Sequence, residues 1–241
     1  MLTSGLLNIN KHPGITSFRA VSIVKNTLNV RKAGHCGTLD PAAEGVLLVL
    51  FGKATKLQGK LIGLPKTYYA RILLGTVTDS GDTTGKVLRS SEVNPESIKE
   101  IESVVAGFSG EILQIPPMFS ALKYGGKKLY EFARAGREVP REPRKISIYS
   151  IKTLNIRDNR IELRVECSRG TYIRTLAVDI GDKLGCGGTL EYLRREKIGP
   201  FDIDDSISIN GKLDVNDLLS RAMSEENILQ ITDIPDSAGT P

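Results

Sequence analysis

Few residues in this chain stand where side chains do chemistry. Asp40 precedes Pro41, whose ring disfavours a helical neighbour. Its carboxylate is therefore expected on extended backbone at a loop edge, in GHCGTLDPAAEG (34–45), just ahead of an apolar run. An acid so placed can serve as a base or a nucleophile. It can equally form a turn or cap a single helical turn, and spacing alone leaves these readings open. His12 and His35 both lie near the N-terminus without a G-x-S-x-G elbow, so serine hydrolysis has no support. Gly81 to Lys86 is one residue short of a Walker A loop, Gly52-Lys53 is followed by Ala54, and no G-x-G-x-x-G opens a helix. Neither a nucleoside triphosphate nor a dinucleotide is indicated. Cys36, Cys167 and Cys186 contain no CxxC pair and leave one thiol over under any bridging scheme, so they are expected as buried thiols and no metal site is expected.

The elements that must position these residues follow from periodicity. Thr16-Ser17 caps a stretch with Val21, Val24 and Leu28 on one face, which predicts a helix over 17–29. Val46 to Phe51 is a continuous apolar run between glycines, the pattern of a buried strand. Tyr68 to Gly75 reads as another strand and TDSGDTTG (78–85) as a turn packed with breakers. Asn94, Pro95 and the spacing of Ile98, Ile101, Val104 and Val105 predict a helix closing at Gly107. Residues 146–156 and 161–167 form a hairpin, and Ile173, Leu176, Ala177, Ile180 and Leu184 mark a helix before Gly185. Leu213 to Ile228 has room for one further helix lying on the body. Strands and helices interspersed without a repeated βα unit predict an α+β domain on a mixed sheet.

Composition narrows the partners. The 241 residues are 40% apolar and 25% charged, as in an ordinary folded protein. No run approaches the roughly 20 apolar residues of a membrane span, and the N-terminus lacks a basic and an apolar leader region, so a cytoplasmic protein without membrane contact is expected. The formal charge of +5 conceals an asymmetry, since residues 201–241 carry nine acids against Lys212 and Arg221, leaving +12 on the first 200 residues. A basic body suggests a polyanionic ligand, because pairing Lys and Arg with phosphates releases counterions. The densest patch is KYGGKKLYEFARAGREVPREPRK (123–145), with eight bases, three acids and Tyr124, Tyr130 and Phe132 among them. It reads either as a solvated, charge-laced helix or as a nucleic-acid contact, and the basic body favours the second. The absence of Trp and an aromatic content of 5% argue against a surface built mainly on base stacking.

Four runs carry a resemblance: GHCGTLDPAAEGVLLVLFGKATK (34–56), KTYYARILLGTVTDSGDTTGKV (66–87), QIPPMFSALKYGGKKLYEFARAG (114–136) and CSRGTYIRTLAVDIGDKLGCGGTLEYLRREKIGPF (167–201). In order and spacing the chain resembles the bacterial TruB family, tRNA pseudouridine synthases acting on the T-loop uridine. The resemblance implies a pseudouridine synthase catalytic fold over 1–201, with a mixed, largely antiparallel central sheet, flanking helices and an RNA-contacting insertion at about 115–145. It implies that Asp40 is the catalytic aspartate, that Tyr68 stacks on the target uracil, that Arg174 pairs with the aspartate, and that Tyr172 and Leu193 also line the base site. His35 matches a residue that fills space in the RNA once the nucleotide flips. The loop holding Lys123, Lys127, Lys128, Arg134 and Arg137 matches one that closes over the T-arm. The family's K-P-x-G-x-T-S stands here as Lys11-His12-Pro13-Gly14-Ile15-Thr16-Ser17, and Phe119 replaces a frequent tyrosine. Residues 202–241 are too short and acidic for the PUA RNA-binding domain that many members carry.

The implied reaction breaks C1′–N1 of uridine, turns the base and forms C1′–C5, so no cofactor is expected. A carboxylate beside the sugar either adds to C1′ or removes a proton from C2′. The substrate implied is tRNA through its T-arm, bound by a monomer. Two alternatives are a guide-RNA-directed synthase of the dyskerin class and an RNA-binding or RNA-folding protein whose catalysis is secondary.

Overall fold

The computed structural model describes residues 3–209 and 213–232. Packing divides the chain into two units, one formed by the residues up to Thr67 and from Arg194 on, the other by Tyr68–Leu193.

In the first unit the run from Val46 forms the strand Glu44–Phe51, flanked antiparallel by Gly5–Lys11 and by the short Ala33–His35. Ile207–Ser208 adds to Gly5–Lys11 in parallel, and Arg194 and Arg195 of the strand Gly188–Ile198 pair in parallel with Glu44 and Gly45. The apolar run is continuous because this sheet is covered on both faces. Leu47, Val49 and Phe51 pack with Val21 and Val24 of the helix Ser17–Thr27, while Val46, Leu48 and Leu50 pack on the other side with Leu61, Phe201 and Ile228. The helix begins as expected, with the Thr16 hydroxyl accepting from the Arg19 amide.

The acidic C-terminal stretch packs with this unit through Ile207, Ile209, Leu218 and Ile228, all buried. The single helix expected over 213–228 is instead two, Val215–Ser220 and Glu225–Thr232. The break has a physical reason: Met223 exchanges both backbone hydrogen bonds with Leu6, a pairing that an unbroken helix would forbid. The rest of the expected acidic extension lies outside the described residues.

In the second unit the sheet order is the first half of Gly188–Ile198, then Lys66–Leu74, Arg160–Cys167, Arg144–Arg157 and Gly110–Gln114. The hairpin has the expected alternation, burying Ile161, Leu163, Val165 and Cys167. The helices Pro95–Ala106 and Ile173–Lys183 pack on one another, and Asn94 caps the first by accepting from the Ser97 amide. The basic segment folds into a small hairpin, Lys123–Tyr124 with Lys127–Lys128, followed by the helix Leu129–Arg134. Gly125 and Gly126 both take positive φ, 55° and 83°, as a two-residue hairpin turn of this kind requires. With helices against mixed, mainly antiparallel sheet, the α+β expectation holds.

Among the strands not expected from the sequence, the three longest are Gly5–Lys11, Gly110–Gln114 and Gly188–Ile198. The last reads as surface because five of its eleven residues are charged, yet Arg195 and Glu196 are buried. Among the described residues no helix is long and apolar enough to cross a membrane.

Candidate functional site

The loop of residues 36–43 carries Asp40, half-buried, and is held from several sides within the first unit. At its middle, the Leu39 amide donates to Ser17 Oγ at 2.9 Å and the Ser17 hydroxyl donates back to the Leu39 carbonyl at 3.0 Å. Beyond the acid, the Ala43 amide donates to the Asp40 carbonyl, and Pro41 accepts from the Gly14 amide at 2.8 Å and from Lys11 Nζ at 3.3 Å. Lys11 is fully buried and also donates to the carbonyls of His12 and Ile15, both at 2.9 Å. Burial pushes its ammonium down to about 8, Arg195 adding to the fall and the negative charge of Asp40 opposing it.

His35 lies immediately ahead of the loop, on the strand Ala33–His35. Its Nδ1 is buried without a hydrogen-bond partner, and burial, reinforced by Arg195, holds its pKa below the usual histidine value. Its surroundings thus disfavour the charged imidazolium. Next to it Cys36 is buried, its thiol pushed up to about 12 by desolvation.

In the second unit Arg174 sits in the first turn of Ile173–Lys183, only 4% exposed. Nη1 donates to the Ser80 carbonyl at 2.9 Å, Nη2 to the Phe119 carbonyl at 2.8 Å, and Nε lies 3.7 Å from Asp82 Oδ2. The turn TDSGDTTG is what supplies two of these partners. Asp82 Oδ1 accepts from the Ser80 hydroxyl and the Thr84 amide, and Thr78 Oγ1 donates to the Asp82 carbonyl. The turn is fastened in place by the Thr83 amide donating to the Leu190 carbonyl and the Leu190 amide donating to that of Gly81. A segment legible only as a breaker-rich turn is therefore a mount for the guanidinium.

The remaining expected residues of this unit fall into two groups. Tyr68 and Leu193 are buried strand residues, each 8% exposed. Tyr172 precedes Arg174 and is tied to Gln114 at both ends of its peptide, its amide donating to Oε1 at 2.7 Å and its carbonyl accepting from Nε2 at 3.1 Å. Lys123, Lys127, Arg134 and Arg137 are exposed and Lys128 is half-buried. Lys128 and Arg134 both lie 5.4 Å from the centroid of the Tyr130 ring, so the cations are displayed on an aromatic support. An apolar hollow of about 410 Å³, lined in part by Phe108, Ile112 and Asp179, contains none of the expected residues. Burial and the neighbouring Asp182 push Asp179 up to about 6. Among the described residues no three His, Cys, Asp or Glu side chains converge as a metal's ligands would.

Arg195, Lys11 and Asp82 escaped the sequence reading. Asp82 left a trace, since Asp and Thr at close spacing make local side-chain to backbone bonds. Nothing in sequence spacing marks the other two, which bond main-chain carbonyls, those of Arg195 all about 150 residues away and that of Pro41 30 residues from Lys11.

Comparison with known proteins places the chain among the pseudouridylate synthases. The family model for the TruB family pseudouridylate synthase N-terminal domain matches residues 25–173, and that for the tRNA pseudouridylate synthase B C-terminal domain matches 174–230. The chain belongs to the TruB family. It is 56% identical over 203 residues to tRNA pseudouridine synthase B of Endomicrobium trichonymphae, covering 84% of this chain and 88% of that one. It is 44% identical over 214 residues to the protein of the same name from Francisella philomiragia, covering 88% and 71%. A crystal structure of a Cbf5-Nop10-Gar1 complex matches with a TM-score of 0.72 at 30% identity, covering 95% of this chain, which spans 62% of that one.

Proposed function

We propose that the chain isomerises uridine to pseudouridine in the T-loop of tRNA, as a cytoplasmic monomer, with Asp40 as the catalytic carboxylate. The observation that carries this is the reach of the family match: every residue given a role by the TruB resemblance lies within the matched spans 25–173 and 174–230. The relatives at 56% and 44% identity are both named tRNA pseudouridine synthase B.

The target uridine flips out of its stack, at a cost of roughly a few kcal/mol that is offset by contacts to the base and phosphates. Asp40 then attacks C1′, or takes the proton from C2′, while the C1′–N1 electron pair leaves with the uracil. The detached ring turns and C5 bonds to C1′ as the Asp40–C1′ ester bond breaks or, on the second route, as the proton held by Asp40 returns to C2′; the proton on C5 is then lost to water and N1 takes one up. Arg174 supplies the positive charge that the family resemblance pairs with the aspartate, and its mounting on the carbonyls of Ser80 and Phe119 spares it from swinging toward solvent. Tyr68 and Leu193 hold the ring, Tyr172 borders it, and neutral His35 fills the gap left in the RNA. Lys123, Lys127, Lys128, Arg134 and Arg137 meet T-arm phosphates.

A T-arm minihelix made with uridine tritiated at C5 tests the reading. The purified chain alone is expected to release tritium into water. Release only upon addition of a guide RNA would instead support the dyskerin-class alternative, and binding without release would support an RNA-folding role.

A further inference from the structure

We propose that Arg195 is a positioning residue for the reaction: its buried guanidinium grips the backbone on both sides of Asp40 and fixes where the carboxylate points. The inference rests on Asp40 being the catalytic acid. Arg195 is 1% exposed and among the largest fully buried side chains of the protein. A guanidinium at such a position loses its hydration, so its donors must be matched inside the fold. The acceptors are carbonyls that flank Asp40, two in its loop and one in the strand that follows. Nε donates to Val46 at 2.7 Å, Nη1 to Thr38 at 3.3 Å and Nη2 to Gly37 at 3.3 Å.

The placement of those carbonyls matters. Gly37 and Thr38 precede Asp40 by three and two residues and Val46 follows it by six, so one planar fork spans the entry and the exit of the loop. The main chain of Arg195 grips the exit again, pairing in parallel with Gly45. There a Cβ would stand 2.2 Å from the Arg195 carbonyl oxygen, and φ is +109°, so only glycine lets the two backbones approach this closely. Ser17 and Lys11 secure Leu39 and Pro41 from the opposite direction in sequence, which leaves the peptide of Asp40 bracketed by anchors on each side. The cation is also felt by its neighbours, since it adds to the lowering of both His35 and Lys11. A residue needed only to fill the core at this strand position would ordinarily be apolar. Arginine supplies what no apolar side chain can, five donors in a rigid plane.

Arg195→Lys keeps the charge and most of the length, but a single nitrogen cannot reproduce the planar fork that reaches Val46 through Nε and Thr38 and Gly37 through two separate terminal nitrogens. Arg195→Met removes every donor and is the harsher variant for folding, so the lysine variant decides. Single-turnover tritium release is measured as a function of enzyme concentration, with rates normalised to sites that bind tRNA. The expected result for Arg195→Lys is a plateau rate lowered about 10²-fold, the scale for ångström-level misplacement of a reacting group, with half-saturation within about twofold of wild type. Arg195→Met, where it folds, should fall further. A normalised plateau equal to wild type would overturn the proposal, as would a loss seen only as fewer binding sites or weaker binding. Asp40→Asn run in parallel separates the two claims. If it is inactive while Arg195→Lys is fully active, only the role of Arg195 fails; if both are fully active, the assignment of Asp40 fails.

Discussion

Two irregular, glycine-bearing segments of this protein are built on opposite principles. Around Asp40 the backbone carbonyls are clamped by buried cations, Arg195 on Gly37, Thr38 and Val46, and Lys11 on Pro41. Around Lys123 to Arg137 the cations are mostly exposed, and Lys128 and Arg134 rest on the Tyr130 ring. In the first segment positive charge is spent inward, on the protein's own main chain. In the second it faces solvent, where we propose it meets another molecule's phosphates. The contrast teaches that the same residue types serve position in one place and attraction in the other, with burial deciding which. Chemistry at C1′ tolerates little displacement of the attacking oxygen, whereas phosphate pairing works over a range of geometries.

If the comparison is right, changes in the two segments should split rate from binding, and the largest effect belongs to the clamped loop. Asp40→Asn should lower single-turnover conversion by at least about 10³-fold while tRNA affinity, followed by filter binding, stays within about twofold. Arg174→Lys loses the fork onto Ser80 and Phe119 and should slow the plateau by about 10²-fold, again with little change in half-saturation. The reverse pattern is expected when Lys127, Lys128, Arg134 and Arg137 are all replaced by Gln. Half-saturation should rise about tenfold or more at moderate salt with the plateau nearly intact, and the slope of log affinity against log salt should fall by roughly one for each phosphate left without its cation. Equal effects on rate and binding in both segments would break the comparison.

The smallest effect concerns the buried ammonium of Lys11. Its pKa falls from the usual 10.5 to about 8 on folding, so between these values the unfolded chain holds a proton that the folded chain does not. Stability should therefore rise with pH across that window, and below about 8 the desolvation penalty is present in full. Thermal melts of the wild type and Lys11→Met between pH 7 and 10.5 check this. The melting temperature of the wild type relative to the variant should climb with pH above 8, and a constant difference would mean that the charge is not desolvated.

Much of this design is legible in the sequence itself. The capped helix at Ser17, the strand into Phe51 and the alternating hairpin at Ile161 are local patterns, each set by residues a few positions apart. The carboxylate and most of its expected companions came from motif resemblance and not from pattern. What stayed hidden was the support. Arg195 and Lys11 look like surface residues because charge ordinarily means solvent, and their partners are carbonyls as far as 158 residues away in sequence. The strand Gly188–Ile198 was obscured for the same reason, its buried Arg195 and Glu196 interrupting the apolar pattern that marks an inner strand. Met223 pairing with Leu6 likewise breaks a helix through a contact that no local window contains.

The most direct test sets wild type against Asp40→Asn on one substrate, a T-arm minihelix tritiated at uracil C5, at enzyme concentrations that saturate it. Tritium should be released stoichiometrically by the wild type and not at all by the variant, although both retain the RNA on a filter. Comparable release by the two proteins would contradict the account, because the acid that the loop is built to hold would then have no part in breaking the glycosidic bond.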